Sequence, residues 1–309
     1  FSFSSGRTVG QFPNCTKPRP LAAIALKRIS KRNKMTSNFI KHLATIGLIL
    51  IFTKSFSQDF VKINGNQINY EKKGNGSPTI VMVSGYGGSL NSFDSVFTKL
   101  SKLTTVVRYS RARLGKSSYE NVGKDFDTMV LEFESLIQRL NIDERIVLIG
   151  HSYGGLIIRS YAKRHPEKVC GLLFDDSTFE DYFERLTAIE KDAEKIEMKE
   201  HEDLNSRKPM DDEFRSLWKV WHSSDNWTKW FDPMPQVPTV VLTSMKITKS
   251  GLRANDKLMD ARYSAHSIWT KNKPFSVQIG LTNAGHFIHK DNPKVFVESV
   301  NMLLSAIRN

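Results

Sequence analysis

The feature that most constrains the fold of this chain is a series of short apolar runs separated by longer segments with helical periodicity. Each run is rich in β-branched residues and has few polar positions, which is typical of strands buried on both faces of a parallel sheet. Successive parallel strands need a crossover connection, usually a helix. The six runs are residues 79–85, 104–110, 145–150, 169–176, 239–244 and 275–281.

Two further strands precede this series. Residues 60–65 and 67–73 alternate apolar and polar positions around Asn64 and Gly65. Alternation on both sides of an Asn-Gly pair predicts an antiparallel hairpin with a tight turn. The hairpin brings the predicted sheet to eight strands, most of them parallel.

Between the strands lie segments with an apolar residue every three or four positions. Residues 125–140 begin with Asp125, a residue that suits a helix N-terminus, and residues 156–164 and 293–307 repeat the helical pattern. Strands joined by helices in this order form right-handed crossovers and one doubly wound sheet. The chain is therefore predicted to be an α/β protein.

One connection is much longer than the others. Residues 178–236, between the sixth and seventh strands, carry a strongly charged stretch (EKDAEKIEMKEHED) and then Trp218, Trp221, Trp227 and Trp230. A connection of this length is usually functional when it has helices of its own. We predict a helical cap over the strand ends, in which the charged helix face is solvated and the tryptophans pack or line a pocket.

The positive charge of the chain is concentrated at its beginning. Residues 1–57 hold 10 of the 45 Lys and Arg residues and none of the 32 Asp and Glu residues, so the remainder is close to neutral despite a formal net charge of +13. A protein that binds nucleic acid needs a basic surface. The sequence therefore offers no reason to expect a nucleic-acid partner.

The same segment has the pattern of a secretory leader. A basic region near Met35 precedes an apolar stretch at 43–52 and small residues up to Ser57, the order found in signal peptides. The apolar stretch is shorter than the roughly 20 residues that span a bilayer, so no stable membrane span is expected in the mature chain. We expect export after cleavage near Ser57, with residues 1–34 as an upstream extension and 58–309 as the folded domain. The alternative is an uncleaved N-terminal anchor.

The stretch GHSYGG at 150–155 places Ser152 after a strand and before a helix. Glycines let the backbone turn sharply where side chains would collide, and such a turn projects the serine hydroxyl away from the sheet. In this context the G-x-S-x-G motif predicts a nucleophile. A glycine turn without chemistry is the alternative.

Two backbone amides are candidates to stabilise negative charge near this serine. The amide of Tyr153 begins the following helix, whose N-terminus favours an anion. The amide of Tyr86 lies in the loop SGYGG, which follows the strand at 79–85. We predict that the two amides form an oxyanion hole. A phosphate-binding loop is the competing interpretation, but no Gly-Lys-Ser/Thr follows these glycines.

A general base is expected beyond the last strand. His286 lies in the segment NAGHFIHKDNP just after the strand at 275–281, whereas His289 lies closer to the next helix, beside Lys290 and Asp291. Imidazole suits proton transfer near neutral pH. We predict His286 as the base, with His289 as its competitor.

With these three segments the chain resembles serine hydrolases of the α/β-hydrolase fold, of the esterase and lipase type. The resemblance covers about residues 60–309 and rests on the SGYGG loop, the GHSYGG elbow and the NAGHFIHKDNP segment, in the family's order of Ser, acid and His. It implies a triad of nucleophile, acid and base that acts on a small-molecule acyl substrate.

The chain departs from the family pattern at the acidic residue of the triad. Family members usually carry it after the seventh strand, but residues 245–255 contain no carboxylate and Asp256 is the first to follow. The other family position is the end of the sixth strand. There VCGLLFDDST resembles the LVLVDAS stretch of a bacterial branch, which aligns its aspartate with Asp176. Because neighbouring strand residues face opposite sides, only one of Asp175 and Asp176 can face His286. The resemblance favours Asp176, with Asp175 and then Asp256 as alternatives.

A second departure lies in residues 108–118, RYSRARLGKSS. Family members often have Tyr-Asp-Arg-x-Gly-x-Gly-x-Ser there, and Ser110 and Arg113 stand in place of the Asp and the first Gly. The loop supports the site from outside, so we expect the chemistry to be unchanged.

These expectations describe acyl transfer to water, in which Ser152 attacks an ester-like carbonyl, His286 takes its proton and Asp176 orients the imidazole. No cofactor or metal is expected, because the sequence has no histidine–carboxylate cluster at metal spacing and no dinucleotide-type glycine context. A haloalkane dehalogenase would need an aspartate in place of Ser152. The open alternatives are a cofactor-free haloperoxidase or an acyltransferase on the same triad, and a non-catalytic protein that binds a small molecule.

Overall fold

The computed structural model describes residues 59–120, 125–179, 182–204, 211–222 and 227–308. The predicted leader and its cleavage point near Ser57 lie outside these residues. Within the described part of the chain, no helix is both long enough and apolar enough to cross a bilayer.

Eight strands in the described residues form one sheet. They are β1 (Asp59–Ile63), β2 (Asn66–Lys73), β3 (Thr79–Val83), β4 (Val106–Tyr109), β5 (Ile146–His151), β6 (Val169–Asp175), β7 (Thr239–Ser244) and β8 (Ser276–Leu281). Their spatial order is β1-β2-β4-β3-β5-β6-β7-β8. Only the β1–β2 and β2–β4 pairs are antiparallel. The predicted α/β, doubly wound and mostly parallel sheet with an N-terminal hairpin is confirmed.

Helices fill the connections between the strands. They are α1 (Asp94–Leu100), α2 (Phe126–Arg139), α3 (Tyr153–Arg164), α4 (Tyr182–Thr187), α5 (Ala193–Leu204), α6 (Asp211–Trp221), α7 (Trp227–Phe231), α8 (Asp256–Ser267), α9 (Ile288–Asp291) and α10 (Pro293–Arg308). The apolar sides of α2 and α3 pack in one core cluster, and those of α1 and α10 pack in a second cluster. The sheet is therefore covered on both faces, which explains why its central strands are almost continuously apolar.

Two helix starts illustrate how the sequence sets these elements. Asp125 caps α2, since its carboxylate accepts a 2.7 Å hydrogen bond from the Thr128 amide. The third helix begins at Tyr153, three residues before the start at 156 that periodicity predicts. Gly154 and Gly155 carry no apolar side chain to show the pattern, yet the helix needs them, because a Cβ on Gly154 would lie 2.2 Å from the Val83 carbonyl oxygen.

Residues 178–236 are called the insertion below, and their described part contains helices α4 to α7, so it is helical as predicted. Trp221 is buried and its ring stacks on Tyr182 with centroids 4.9 Å apart, while Trp218 packs against Phe183. The side chain of Trp227 lies outside the described residues. Trp218 and Trp221 therefore serve mainly as packing, and Trp221 also lines a cavity described below.

The loop after β4 accommodates both residues that depart from the family pattern. Arg113 has φ 74°, in the left-handed region where a glycine was expected, and its guanidinium lies over the Tyr119 ring at 4.2 Å. Ser110 is buried, and its hydroxyl accepts a 3.0 Å hydrogen bond from the Leu90 amide. Both residues support the loop.

Candidate active site

Ser152 lies in a strained turn between β5 and α3. Its backbone angles are φ 50° and ψ −121°, in a region that non-glycine residues adopt at a cost of about 1–3 kcal/mol. The turn is held by hydrogen bonds from the Ser152 amide to the Asp175 carbonyl (3.1 Å) and from the Thr178 amide to the Ser152 carbonyl (3.2 Å). Gly150 permits it, because a Cβ there would lie 2.7 Å from Gly155 Cα. The backbone thus presents this serine at the carboxyl edge of the sheet, where it lines a cavity.

Asp176 and His286 meet beside this turn. Nδ1 of His286 lies 2.7 Å from Oδ2 of Asp176, although the two residues are 110 positions apart in the chain. Because a carboxylate oxygen only accepts, the proton of the neutral ring lies on Nδ1, which leaves Nε2 as the basic nitrogen. Ser152, Asp176 and His286 line the same cavity. Among the described residues, no hydrogen bond joins the Ser152 hydroxyl to the His286 ring.

Asp176 is fully buried and surrounded by donors. It directly follows β6, with φ 45°, a conformation that aspartate tolerates better than most residues. Its Oδ1 accepts from the Ser244 amide at 2.9 Å, and its Oδ2 accepts from Nη2 of Arg253 at 2.5 Å. Nη2 of Arg262 lies 3.5 Å from the same oxygen. Burial alone would raise the pKa of Asp176, but the guanidinium groups of Arg253 and Arg262 hold it well below its usual range.

His286 has a lowered pKa. Burial is the largest cause, the hydrogen bond with Asp176 opposes it, and the positive charge of Arg253 lowers the pKa further. The ring is therefore neutral at pH 7, the state that a general base requires.

Asp175 has a different partner from Asp176, as the strand alternation predicts. Its Oδ2 accepts a short hydrogen bond from Nδ1 of His289, and both side chains are fully buried. Burial raises the pKa of Asp175, in contrast to its neighbour. Next to the pair, Nε2–H of His151 donates to the His286 carbonyl at 2.9 Å.

The ligand-capable atoms of His151, Asp175 and His289 lie within 4.8 Å of one another. However, Nδ1 of His289 is bonded to Asp175, and Nε2 of His151 is bonded to a backbone carbonyl. The cluster is therefore organised by its own hydrogen bonds. Asp256, the remaining alternative acid, is exposed at the first turn of α8 and is not among the residues that line the cavity.

The two predicted oxyanion-hole residues lie on two different elements near the serine. Tyr153 follows it directly as the first residue of α3, and Tyr86 lies in the loop after β3 and lines the cavity. Only their amides suit the predicted role. The Tyr153 ring is buried, with its hydroxyl 3.3 Å from the Ser216 hydroxyl, and the Tyr86 ring packs against Phe214.

The loop that carries Tyr86 is held by a buried ion pair. Arg111 donates to the carbonyls of Ser84 and Gly85, both at 2.7 Å, and its Nε lies 2.6 Å from Oε1 of Glu213. The other oxygen of Glu213 accepts from the Gly87 amide at 2.9 Å. Since Glu213 belongs to α6, the insertion reaches directly to the candidate oxyanion loop.

The cavity has a volume of about 310 Å³ and a mixed lining. Tyr182, Leu217 and Trp221 of the insertion contribute apolar surface, and Glu197 and Glu200 add acidic groups. A pocket of this size suits a small organic molecule.

Sequence reasoning did not find Arg253, Arg262, Arg111 or Glu213. Arg253 lies in a loop after a parallel strand, and the carboxyl ends of parallel strands share one edge of the sheet. A position near the site could therefore have been predicted for this loop. The sequence did not indicate that the Arg253 side chain pairs with Asp176, because the two residues lie 77 positions apart.

Comparisons with known proteins agree with this architecture. Residues 78–202 match the family model of the alpha/beta hydrolase fold. Among curated proteins, the chain is 29% identical over 117 residues to cis-3-alkyl-4-alkyloxetan-2-one decarboxylase of Shewanella oneidensis, covering 37% of this chain and 36% of that protein. It is 31% identical over 113 residues to 1-acylglycerol-3-phosphate O-acyltransferase of Arabidopsis thaliana, covering 35% and 27%. The chain spans less than half the length of these curated relatives.

Solved structures extend the likeness to about four fifths of the chain. An esterase from Thermogutta terrifontis is 16% identical with a TM-score of 0.56, covering 81% of this chain and 97% of that one. Mouse alpha/beta hydrolase domain-containing protein 10 is 17% identical with a TM-score of 0.57, covering 81% and 98%. At these identities the likeness concerns the fold. The family match over residues 78–202, the strand order and these neighbours together show that the chain has the α/β-hydrolase fold.

Proposed function

We propose that this chain is a serine hydrolase that cleaves a carboxylic ester through Ser152, His286 and Asp176. The observation that carries the proposal is the hydrogen bond between His286 and a buried, ionised Asp176 beside the strained turn of Ser152, in one cavity. A neutral imidazole held in one tautomer next to a projecting serine is the arrangement needed for nucleophilic catalysis.

In the proposed reaction, the Ser152 hydroxyl attacks the ester carbonyl and Nε2 of His286 takes its proton. This step needs the two atoms to come within hydrogen-bond distance, and sites without substrate often reach that geometry only when the substrate binds. The amides of Tyr86 and Tyr153 donate to the oxyanion. His286 then protonates the leaving alcohol, and a water molecule, activated by the same ring, releases the acid from Ser152.

The test is hydrolysis of a series of p-nitrophenyl esters of increasing acyl length. Ser152→Ala, His286→Gln and Asp176→Asn should each lower kcat/KM by about 10³-fold or more, as triad substitutions do. Asp175→Asn is the matched control, since it alters the adjacent carboxylate, and it should stay within about tenfold of the parent. If Asp175→Asn abolished turnover and Asp176→Asn did not, Asp175 would be the acid. If the unaltered chain bound these esters without turning them over, the protein would be a binding protein on a hydrolase scaffold.

An acyltransferase is the second candidate, because the chain matches a plant enzyme of that name. The two reactions share the acyl-enzyme and differ in whether water or an alcohol accepts the acyl group. Mass spectrometry of the products in the presence of a long-chain alcohol distinguishes free acid from a new ester.

A further inference from the structure

Arg253 reaches the candidate site from the loop between β7 and α8. Among the described residues of this loop, it is the one that makes a hydrogen bond to the triad. It lies in the 3₁₀ turn Leu252–Ala254, between β7 and α8. Its side chain is 19% exposed and lines the cavity. Its guanidinium faces Asp176.

One carboxylate oxygen serves two donors. Oδ2 of Asp176 lies 2.5 Å from Nη2 of Arg253 and 2.7 Å from Nδ1 of His286, and the two nitrogen atoms are 3.1 Å apart. A guanidinium nitrogen only donates. When Nδ1 also carries its proton, Arg253 and His286 compete for the same oxygen.

The charges around His286 come from several elements. Its ring packs against His151 of β5 with centroids 4.7 Å apart, a ring whose own pKa burial lowers well below its usual range. The guanidinium groups of Arg253 and Arg262 both lie within hydrogen-bond or ion-pair distance of Oδ2 of Asp176. The other titratable groups that line the cavity or contact the His286 loop are Tyr86, Tyr182, Glu197, Glu200 and Asp291, and the buried Asp175–His289 pair lies against His151.

The consequence concerns the imidazolium that forms when His286 takes a proton. Asp176 stabilises that cation, but part of its charge is already balanced by Arg253 and Arg262. A positive charge within about 4–6 Å disfavours a second one, by roughly one pKa unit or more. The lowered pKa of His286 agrees in direction.

We propose that Arg253 is a positioning residue that shares Asp176 with His286 and shifts the pH range in which His286 acts as a base toward acid. The inference rests on the proposed function for its catalytic meaning. The effect of Arg253 on the protonation of His286 can be measured without any turnover of substrate.

The experiment compares Arg253→Met, Arg253→Lys and Lys249→Met in the full chain. Lys249→Met is the matched control, because Lys249 is exposed on the same loop and its removal changes the net charge equally. The titration of His286 is followed by NMR with isotope-labelled histidine, its signal identified by its absence in His286→Gln. The acid limb of kcat/KM for a p-nitrophenyl ester is measured in parallel.

Arg253→Met should raise the pKa of His286, and with it the acid limb of kcat/KM, by about one pH unit or more. Arg253→Lys should restore part of the difference, and Lys249→Met should shift either value by less than about 0.3 unit, since an exposed charge is screened. The proposal is overturned if Arg253→Met titrates like Lys249→Met while far-ultraviolet circular dichroism shows that it is folded. If the chain hydrolyses no ester, the proposed function fails, but the NMR titration still decides the role of Arg253.

Discussion

Glu213 joins the insertion to the loop that carries Tyr86, and its replacement by alanine is expected to destabilise the protein strongly. Its carboxylate and the Arg111 guanidinium are each only 1% exposed, and they are joined by contacts of 2.6 and 3.1 Å. Removing one partner of a buried ion pair leaves an uncompensated charge, at a cost of about 3–5 kcal/mol. Globular domains have a total stability of about 5–15 kcal/mol, so the loss is a large share.

The assay is urea unfolding followed by circular dichroism and tryptophan fluorescence. Glu213→Ala should lower the free energy of unfolding by about 4 kcal/mol. Glu298→Ala, at an exposed position of α10, is the control and should change it by less than about 0.5 kcal/mol. The double variant Arg111→Met with Glu213→Leu should lose less than Glu213→Ala, because no charge is left buried. A Glu213→Ala variant as stable as Glu298→Ala would show that leaving Arg111 unpaired in the interior costs little.

Three further substitutions test the local physics of the site. Ser152→Gly relieves the strained backbone and should be more stable than Ser152→Ala by about 1 kcal/mol in the same unfolding assay, whereas equal stability would mean that the turn stores no strain. Gly154→Ala places a Cβ 2.2 Å from the Val83 carbonyl oxygen and should lower the unfolding free energy by about 2 kcal/mol or more; a neutral result would contradict the close approach. Burial lowers the pKa of His266 from 6.5 to about 4, so the unfolded state binds the extra proton and stability falls as the pH drops from 6.5 toward 4. His266→Gln should make that fall smaller by about 3 kcal/mol, and identical pH dependence would show that His266 titrates normally.

Much of the sheet could be predicted from the sequence, because strands buried on both faces must be apolar along their whole length. The runs around Val81, Leu148 and Val241 carry that signal, and all three residues are fully buried. Helix starts were less certain. The third helix begins at Tyr153 because the turn of Ser152 leads straight into it, but two glycines interrupt the apolar pattern that would show this.

Within the candidate site, sequence motifs predicted single residues, but they did not predict contacts between residues far apart in the chain. The position of Ser152 follows from glycines that a strand–helix turn requires. The choice between Asp175 and Asp176 needed strand alternation, and the structure gives each its own histidine, His289 and His286. The pairing of Arg253 with Asp176 depends on how a loop folds over the sheet edge, which no local pattern encodes.

The most direct test of a serine nucleophile is covalent trapping. The full chain is treated with a fluorophosphonate probe, digested and analysed by mass spectrometry to locate the modified residue. We expect one adduct, on Ser152, that is absent from Ser152→Ala and forms much more slowly in His286→Gln. An adduct on another residue, or labelling of Ser152→Ala at the rate of the unaltered chain, would contradict it.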